Sequence, residues 1–378
     1  MDFELTDEQR QLSDSLERLL TQQYGSDQRK SIIESPGGFS RSIWSKIADL
    51  GILSLPVSEA AGGFGGGAVD LMRPMALFGQ ALVVEPVIAQ LTATRLLERA
   101  SAATGSSATQ LLQQAMAGEQ RLAWARQSSA DGHACTATAA GKGWVLNGAC
   151  TGVSGADGSS QLLVTARTGT GRSEIALFLV PANTPSVTIR PGRALDNQRI
   201  ADVAFDRVEV SAGQRLASAT EALDAVEEAA DFDSALLCAE AAGVIDYACQ
   251  TTLEYLKTRK QFGVTIGSFQ ALQHRIVDLH VELEQVRSMA ALACSKCDAA
   301  GSGQIPVPER TKAVAAARVL VGKAATKVAQ ESVQLHGGMG MAEEMKISHA
   351  FRRLTVLAQQ AGNVSFFLDR FIAADRLL

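Results

Sequence analysis

The chain has 378 residues, a formal net charge of −5, and is 46% hydrophobic and 20% charged. That length accommodates two or three domains, and the composition is that of a globular protein rather than a disordered one. The charge shows no basic stripe, which excludes nucleic acid as a main partner, and no apolar run approaches the ~20 residues that span a bilayer.

The acidic opening Met1-Asp-Phe-Glu-Leu-Thr-Asp-Glu is not a secretory signal, and the expectation is a soluble cytoplasmic protein. Residues 1–120 read as helical. Thr6, followed by Glu8 and Gln9, is placed to cap a first helix, and Leu12, Leu16, Leu19 and Leu20 then recur at helical spacing. Gly62-Gly-Phe-Gly-Gly-Gly67 reads as a break between helices; with no Lys-Ser/Thr after it, it does not read as a phosphate cradle.

The texture changes near residue 121. Trp144-Val-Leu-Asn-Gly148, Gln161-Leu-Leu-Val-Thr-Ala166, Ile175-Ala-Leu-Phe-Leu-Val180 and Val203-Ala-Phe205 are short β-rich runs separated by Gly, Asn, Asp and Pro. A β domain over 121–222 follows from them. From 223 onward the chain is helical again. Phe269, Leu272, Ile276, Leu279, Leu283 and Val286 alternate spacings of three and four, the seam of a helix packed in a bundle, with Arg275, Asp278, Glu282, Glu284 and Arg287 on the remaining surface. The Ala/Val-rich stretch at 313–330 is the nearest thing to a membrane span, but Arg318 and Lys323 interrupt it. The fold class is therefore α+β: a helical domain (1–120), a β-barrel or sandwich domain (121–222) and a C-terminal four-helix bundle (223–378).

The six cysteines, at 135, 150, 238, 249, 294 and 297, do not form a secreted disulfide framework. Cys294 and Cys297 make a C-x-x-C, but it sits in a helical, Ala-rich segment with no second Cys/His pair, so these read as packed thiols rather than a metal site.

Two C-terminal segments carry the chemistry. Arg259-Lys-Gln-Phe-Gly263, with Val-Thr-Ile-Gly-Ser-Phe-Gln270 behind it, offers a fixed cation beside a glycine turn. Gln334-Leu-His-Gly-Gly-Met-Gly340 offers a side-chain amide and glycines where backbone N–H groups can approach an anion. Taken singly, a surface salt bridge and a helix-to-helix turn explain them. Together, and with the opening motif, Leu50-Gly-Ile-Leu-Ser-Leu-Pro-Val57 and the α–β–α order, the chain resembles the acyl-CoA dehydrogenase family over essentially its whole length.

The resemblance implies FAD, held largely by a neighbouring subunit. It places Arg259 at the diphosphate, Gln261, Phe262, Ile266, Phe269 and Gln270 along the same FAD, and Gln334, Gly337 and Gly338 at its adenosine and diphosphate end. It also implies an acyl-CoA substrate, an electron-transfer flavoprotein as acceptor, and a homotetramer or a heterotetramer with a second family subunit. The details resemble a branch acting on bulky, dicarboxyl or steroid side-chain thioesters. The β domain departs from the pattern. Leu122-Ala-Trp-Ala-Arg-Gln127 replaces a hydroxyl-bearing stretch, and Gly152 stands where an aromatic usually flanks the flavin, with Ser154 keeping the polar contact.

The family's reaction needs a carboxylate to remove the proton α to the thioester carbonyl. Its commonest position falls on Ala361, which cannot take a proton. An alternative position, at the start of the helix leading into the Arg259 segment, falls on Asp233. Read locally, Asp233 and Asp231 are helix N-cap or first-turn acids. Glu240, two helical turns on in a small apolar setting, needs a partner or a function. His336 and His349 read as hydrogen-bonded structural histidines, and Arg352 and Arg353 as partners of Glu343 or Glu344. Three readings stay open: a dehydrogenase with Asp233, or else Glu240, as its catalytic base; a non-catalytic subunit that completes a neighbour's FAD site; and a helical scaffold or acyl-CoA-binding protein without redox chemistry.

Overall fold

The computed structural model describes residues 5–104, 108–126, 135–171 and 173–378. The first four residues of the opening motif, and Gln127, lie outside them. Among the described residues six α-helices come first: α1 (Asp7–Gln23), α2 (Ser26–Glu34), α3 (Arg41–Asp49), α4 (Ala68–Ala81), α5 (Val87–Thr104) and α6 (Thr109–Met116). Eight strands follow among the described residues: β1 (Leu122–Ala125), β2 (Thr136–Ala140), β3 (Gly143–Ser154), β4 (Gln161–Arg167), β5 (Ile175–Pro181), β6 (Val187–Arg193), β7 (Arg199–Ser211) and β8 (Arg215–Ser218). The remainder is α7 (Ala219–Thr258), α8 (Gln270–Gly301), α9 (Val307–His336), α10 (Lys346–Leu357) and α11 (Val364–Asp375). Contacts divide the chain into two compact units.

One unit combines Met1–Ser31, Gly67–Val83 and Ser234–Leu378 and is helical. Thr6 caps α1 as its sequence indicates: its hydroxyl accepts from Gln9 N–H at 3.2 Å while the Gln9 amide oxygen takes the Thr6 N–H at 2.9 Å. Gln9 also donates to Asp70 Oδ1 at 2.7 Å, and Asp70 Oδ2 accepts the Gly67 N–H at 2.7 Å. The next two amides of α4, Ala68 and Val69, donate to the two oxygens of Asp298 from α8, at 2.7 and 2.9 Å. Helices α4 and α7 pack backbone to backbone. A Cβ on Gly243 would lie 1.9 Å from Ala76 O, and one on Gly79 would lie 2.2 Å from Glu240 O.

The seam on α8 is buried from Ile276 through Leu279 and Leu283 to Val286. Its expected first member, Phe269, instead precedes the helix and is 40% exposed. Polar residues of α8 tie to α9 through Arg275–Glu331 and Lys327–Glu282, each 2.7 Å. Arg318, the interruption in the apolar stretch of α9, is buried over the Phe367 ring at 5.0 Å and donates to Leu357 O and Gln360 O. A buried guanidinium thereby holds the end of α10 and α11 to α9 by satisfying free carbonyls.

The other unit combines Ile32–Gly66 and Val84–Asp233 and carries the sheet. Its strands lie in the order β6-β7-β3-β2-β4-β5-β8, with β1 beside β4. All neighbours are antiparallel except β1 and β2 on β4. Leu162, Val164, Ala176, Phe178 and Val180 enter a core with Leu146, Val203 and Phe205. Leu163 and Leu177, one residue out of phase, enter a second core with Leu96, Leu97 and Leu112 of α5 and α6. Both faces of β4 and β5 are covered, so those strands are continuous apolar runs, whereas one-sided β7 alternates. Strands β1, β2, β6 and β8 carried no run long enough to be expected; β6 contains Pro191 and lies at the sheet edge, where a missing N–H costs no ladder bond.

Candidate functional site

The last turn of α7 leads directly into the first candidate segment. Arg259 N–H donates to Tyr255 O at 2.8 Å, and Ile266 N–H closes back on Arg259 O at 2.9 Å. Between them Lys260 and Gln261 pair antiparallel with Thr265 and Val264. The two residues left for the turn, Phe262 and Gly263, have φ of 54° and 82°, the positive values that a two-residue hairpin turn demands. Glycine takes that geometry freely; phenylalanine does so under strain. The result is a ring that is 89% exposed, set edge to face with Phe269 at 6.2 Å. Arg259, Gln261 and Gln270 are exposed and Ile266 is half-buried. Among the described residues Arg259 makes no ion pair.

The second segment begins where α9 ends at His336. Gly337 has φ 63° and ψ −147°, backbone that only glycine adopts without strain, and the chain folds into a 3-10 turn over Gly337–Met341. Gly340 is pressed against His336: an added Cβ would sit 3.0 Å from His336 Cβ and 2.8 Å from Val333 O. Gln334, Gly337 and Gly338 are exposed, and a Cβ added at either of the last two would meet open space.

The two segments meet. The Tyr255 ring stacks on His336 with centroids 4.4 Å apart and planes 25° from parallel, and Tyr255 Oη donates to His336 O at 3.3 Å. Sequence reasoning missed Tyr255, although an aromatic one helical turn before Arg259 was a signal. It anticipated a structural role for His336, whose Nδ1 is 2.8 Å from Ser332 O. Burial pushes the His336 imidazole below its ordinary value, against the opposing pull of that carbonyl.

Ser154 and Asp233 belong to the sheet-bearing unit. Ser154 closes β3 opposite Ile200. Gly152 lies two residues earlier at a register shift, with φ 61° and its N–H donating to Asp202 Oδ1 at 2.9 Å. The position is a β-bulge built on left-handed backbone, so the aromatic expected there is disfavoured by conformation. Leu122 to Ala125 are buried along β1.

Asp233 is not a helix-start acid. It lies well inside the 40-residue α7, buried, with Oδ2 taking Arg126 Nη2 at 2.9 Å and Oδ1 taking the Thr92 hydroxyl at 3.3 Å. The Arg126 guanidinium also lies over the Trp124 ring at 4.7 Å. Asp231 is likewise internal to α7 and fully buried, so the cap reading fails for both.

Glu240 has a partner that sequence reasoning assigned elsewhere. Arg353 Nε and Nη2 grip its two oxygens at 2.7 and 2.5 Å, and both side chains are buried. Arg352 takes Glu343 as expected. Ala361 sits in the connection from α10 to α11 with φ 63°.

All six cysteines are buried and free. Burial pushes the Cys294 thiol well above its ordinary value, and among the described residues no group of His, Cys, Asp and Glu is arranged to hold a metal. Burial also lowers Lys346 to about 8. Its Nζ donates to Gln80 O at 2.9 Å and lies 4.3 Å from the Tyr247 ring centroid.

A helical unit presenting an Arg hairpin and a glycine turn, with a strand-rich unit inserted in sequence, places this chain in a known class. Residues 6–116 match the acyl-CoA dehydrogenase N-terminal domain and residues 223–368 match the acyl-CoA dehydrogenase C-terminal domain, together about two thirds of the sequence. The chain belongs to the acyl-CoA dehydrogenase family. Acyl-CoA dehydrogenase IpdE2 of Mycobacterium tuberculosis is 28% identical, over 93% of this chain and 92% of its own. The ChsE4-ChsE5 complex from Mycobacterium tuberculosis has the same fold at 24% identity (TM-score 0.87, all of both chains). So does the FAD complex of PigA, at 24% identity (TM-score 0.86, all of both chains). Among the described residues no helix is long and apolar enough to cross a membrane.

Proposed function

We propose that this chain is a subunit of an FAD-dependent acyl-CoA dehydrogenase that introduces an α,β double bond into an acyl-CoA thioester and passes the electrons to an electron-transfer flavoprotein. The observation that carries this reading is the joined pair of outward-facing segments: Arg259 without an ion pair among the described residues, beside Gln334 and two glycines that leave open space. These groups fit a diphosphate, which requires a fixed positive charge and close backbone donors. Phe262 and Phe269 offer rings that a bound cofactor or a neighbouring subunit would cover. Gln261, Ile266 and Gln270 complete the set on the same hairpin and helix start, and Ser154 is assigned to the flavin ring. When bound, FAD supplies hydride acceptance.

In this chain's own chemistry, Asp233 is the carboxylate assigned to remove the α proton. Thr92 and Arg126 hold it in place, and Arg126 must release Oδ2 before a proton can be taken there. That ion pair also favours a second reading, in which Asp233 is structural and the chain completes the FAD site of a second family subunit. The organisation proposed for either case is domains 1–120, 121–222 and 223–378. The resemblance points to bulky, dicarboxyl or steroid side-chain thioesters, and the ChsE4-ChsE5 complex supports a two-subunit assembly.

The deciding experiment is the visible absorption spectrum of the chain purified alone and co-expressed with a second family subunit. One FAD per chain from the chain alone, bleached by acyl-CoA but not in Asp233→Asn, supports a complete active site. A colourless chain that turns yellow only with its partner supports the second reading. Absence of flavin under every pairing, with acyl-CoA still bound, refutes both.

A further inference from the structure

The helix ends that bear the two flavin-directed segments are joined by a ring contact and a hydrogen bond between Tyr255 and His336. Tyr255 lies in the last turn of α7, and its carbonyl carries the Arg259 N–H at 2.8 Å, so the backbone of Arg259 follows that of Tyr255 directly. His336 is the last residue of α9, and Gly337 follows it at once. The rings stack at 4.4 Å, and the phenol hydroxyl reaches the His336 carbonyl at 3.3 Å. The glycine turn is in turn seated on His336, because Gly340 leaves no room for a Cβ beside His336 Cβ.

The imidazole is also held in one state. With Ser332 O at 2.8 Å from Nδ1, that nitrogen carries the hydrogen, and Nε2 is buried without a hydrogen-bond partner. Protonating Nε2 would place a buried N–H with no acceptor beside it, so the neutral ring is favoured, in agreement with the downward push of burial on this group. A neutral imidazole stacked on a phenol is an uncharged spacer of fixed thickness.

We propose that Tyr255 and His336 are a pair of positioning residues that hold Arg259 at a fixed separation from the Gly337–Gly338 turn, so that the two segments bind the FAD diphosphate as one preorganised receptor. The inference rests on the FAD reading given above. Its physical content is that the stack removes the need to order two independent chain ends when the diphosphate arrives, a saving that appears in retention of the cofactor. An aromatic pair is worth enough that its loss corresponds to about a tenfold change in an equilibrium constant.

The test measures FAD dissociation from the assembled, FAD-loaded protein by recovery of flavin fluorescence, with the thermal midpoint of the cofactor-free protein recorded beside it. His336→Leu and Tyr255→Leu keep apolar bulk without a stack, and each is expected to raise the dissociation constant about tenfold. His336→Phe keeps a ring and loses Nδ1–H; it is expected to stay within about threefold of the unmodified protein, as is Tyr255→Phe, which loses only the hydroxyl. Retention that follows the presence of a ring, and not the thermal midpoint, supports the proposal. Unchanged dissociation in a folded leucine variant overturns it, as does loss in the ring-retaining variants in proportion to their thermal midpoints. If a leucine variant does not fold, the phenylalanine variants decide alone: tenfold or greater loss of FAD in either, from a protein with an unchanged thermal midpoint, overturns the proposal. An unmodified assembly that carries no FAD overturns the underlying FAD reading, and the proposal with it.

Discussion

Glu240 and Arg353 form the most deeply buried ion pair described in the helical unit, with side chains 6% and 5% exposed and two hydrogen bonds of 2.7 and 2.5 Å. Arg353 Nη1 also donates to Gln360 Oε1 at 3.2 Å. Such a pair returns little net stability, because desolvating both ions offsets their attraction. Breaking it is different. Arg353→Met leaves a carboxylate among Ala239, Ala241 and Cys238 with no counter-ion, at a cost of about 3–5 kcal/mol. Glu240→Leu removes the acid but leaves Arg353 its bond to Gln360 Oε1, so it is expected to cost less. The double substitution removes both charges of the pair and fills the space, so it is expected to cost less than Arg353→Met alone, which makes the coupling favourable. The assay is urea unfolding followed by far-UV circular dichroism, with bleaching of bound flavin by acyl-CoA measured on the same preparations. A loss under ~1 kcal/mol in Arg353→Met would refute the buried-pair reasoning. Glu240→Leu that folds normally and abolishes bleaching would refute the structural assignment of Glu240, making it the base.

Gly243→Ala drives a methyl into Ala76 O and is expected to destabilise by roughly 3 kcal/mol in thermal or urea unfolding, even though alanine is the better helix former; a neutral result would contradict the close crossing of α4 and α7. Lys346, lowered from 10.5 to about 8 by burial, gives a pH test. Between those values the unfolded chain binds more protons than the folded one, so stability relative to Lys346→Met should rise with pH from 8 to 10.5, by at most roughly 3 kcal/mol. A difference that is flat or falls over that window would show the ammonium to be well solvated. Arg259→Ala is expected to weaken FAD retention in the assembled protein about tenfold or more without lowering the thermal midpoint of the cofactor-free chain, since the side chain is exposed. Equal FAD content in variant and parent would sink that assignment.

What could be read in advance was local. Thr6 and Gln9 are three residues apart, Ile276 and Leu279 one turn apart, and β4 and β5 are apolar on both faces, so propensity and period revealed them. A turn at Gly263 was visible for the same reason, but the hairpin that Phe262 and Gly263 close was not expected. Links between distant residues were not visible. Tyr255 bonds His336 across 81 positions and Glu240 bonds Arg353 across 113. The aromatic one turn before Arg259 marked Tyr255 but not its partner, and each pairing answers a question the sequence raised: what joins the two segments, and what neutralises a buried acid. Asp233 was misplaced because α7 begins at Ala219, without a helix-start signal to separate it from β8, and so extends well upstream of the acids.

The start of α4 settles the character of the glycine run before it on grounds of charge alone. A helix N-terminus carries the equivalent of about half a positive charge, the feature that recruits phosphates elsewhere. Here two carboxylates occupy it: Asp70 on the Gly67 amide and Asp298 on those of Ala68 and Val69. These carboxylates offset the positive end of the helix. The amides that would greet a nucleotide are already spent. Turning this end into an anion receptor would take the loss of both acids, and the same change would cut the tether between α4 and α8.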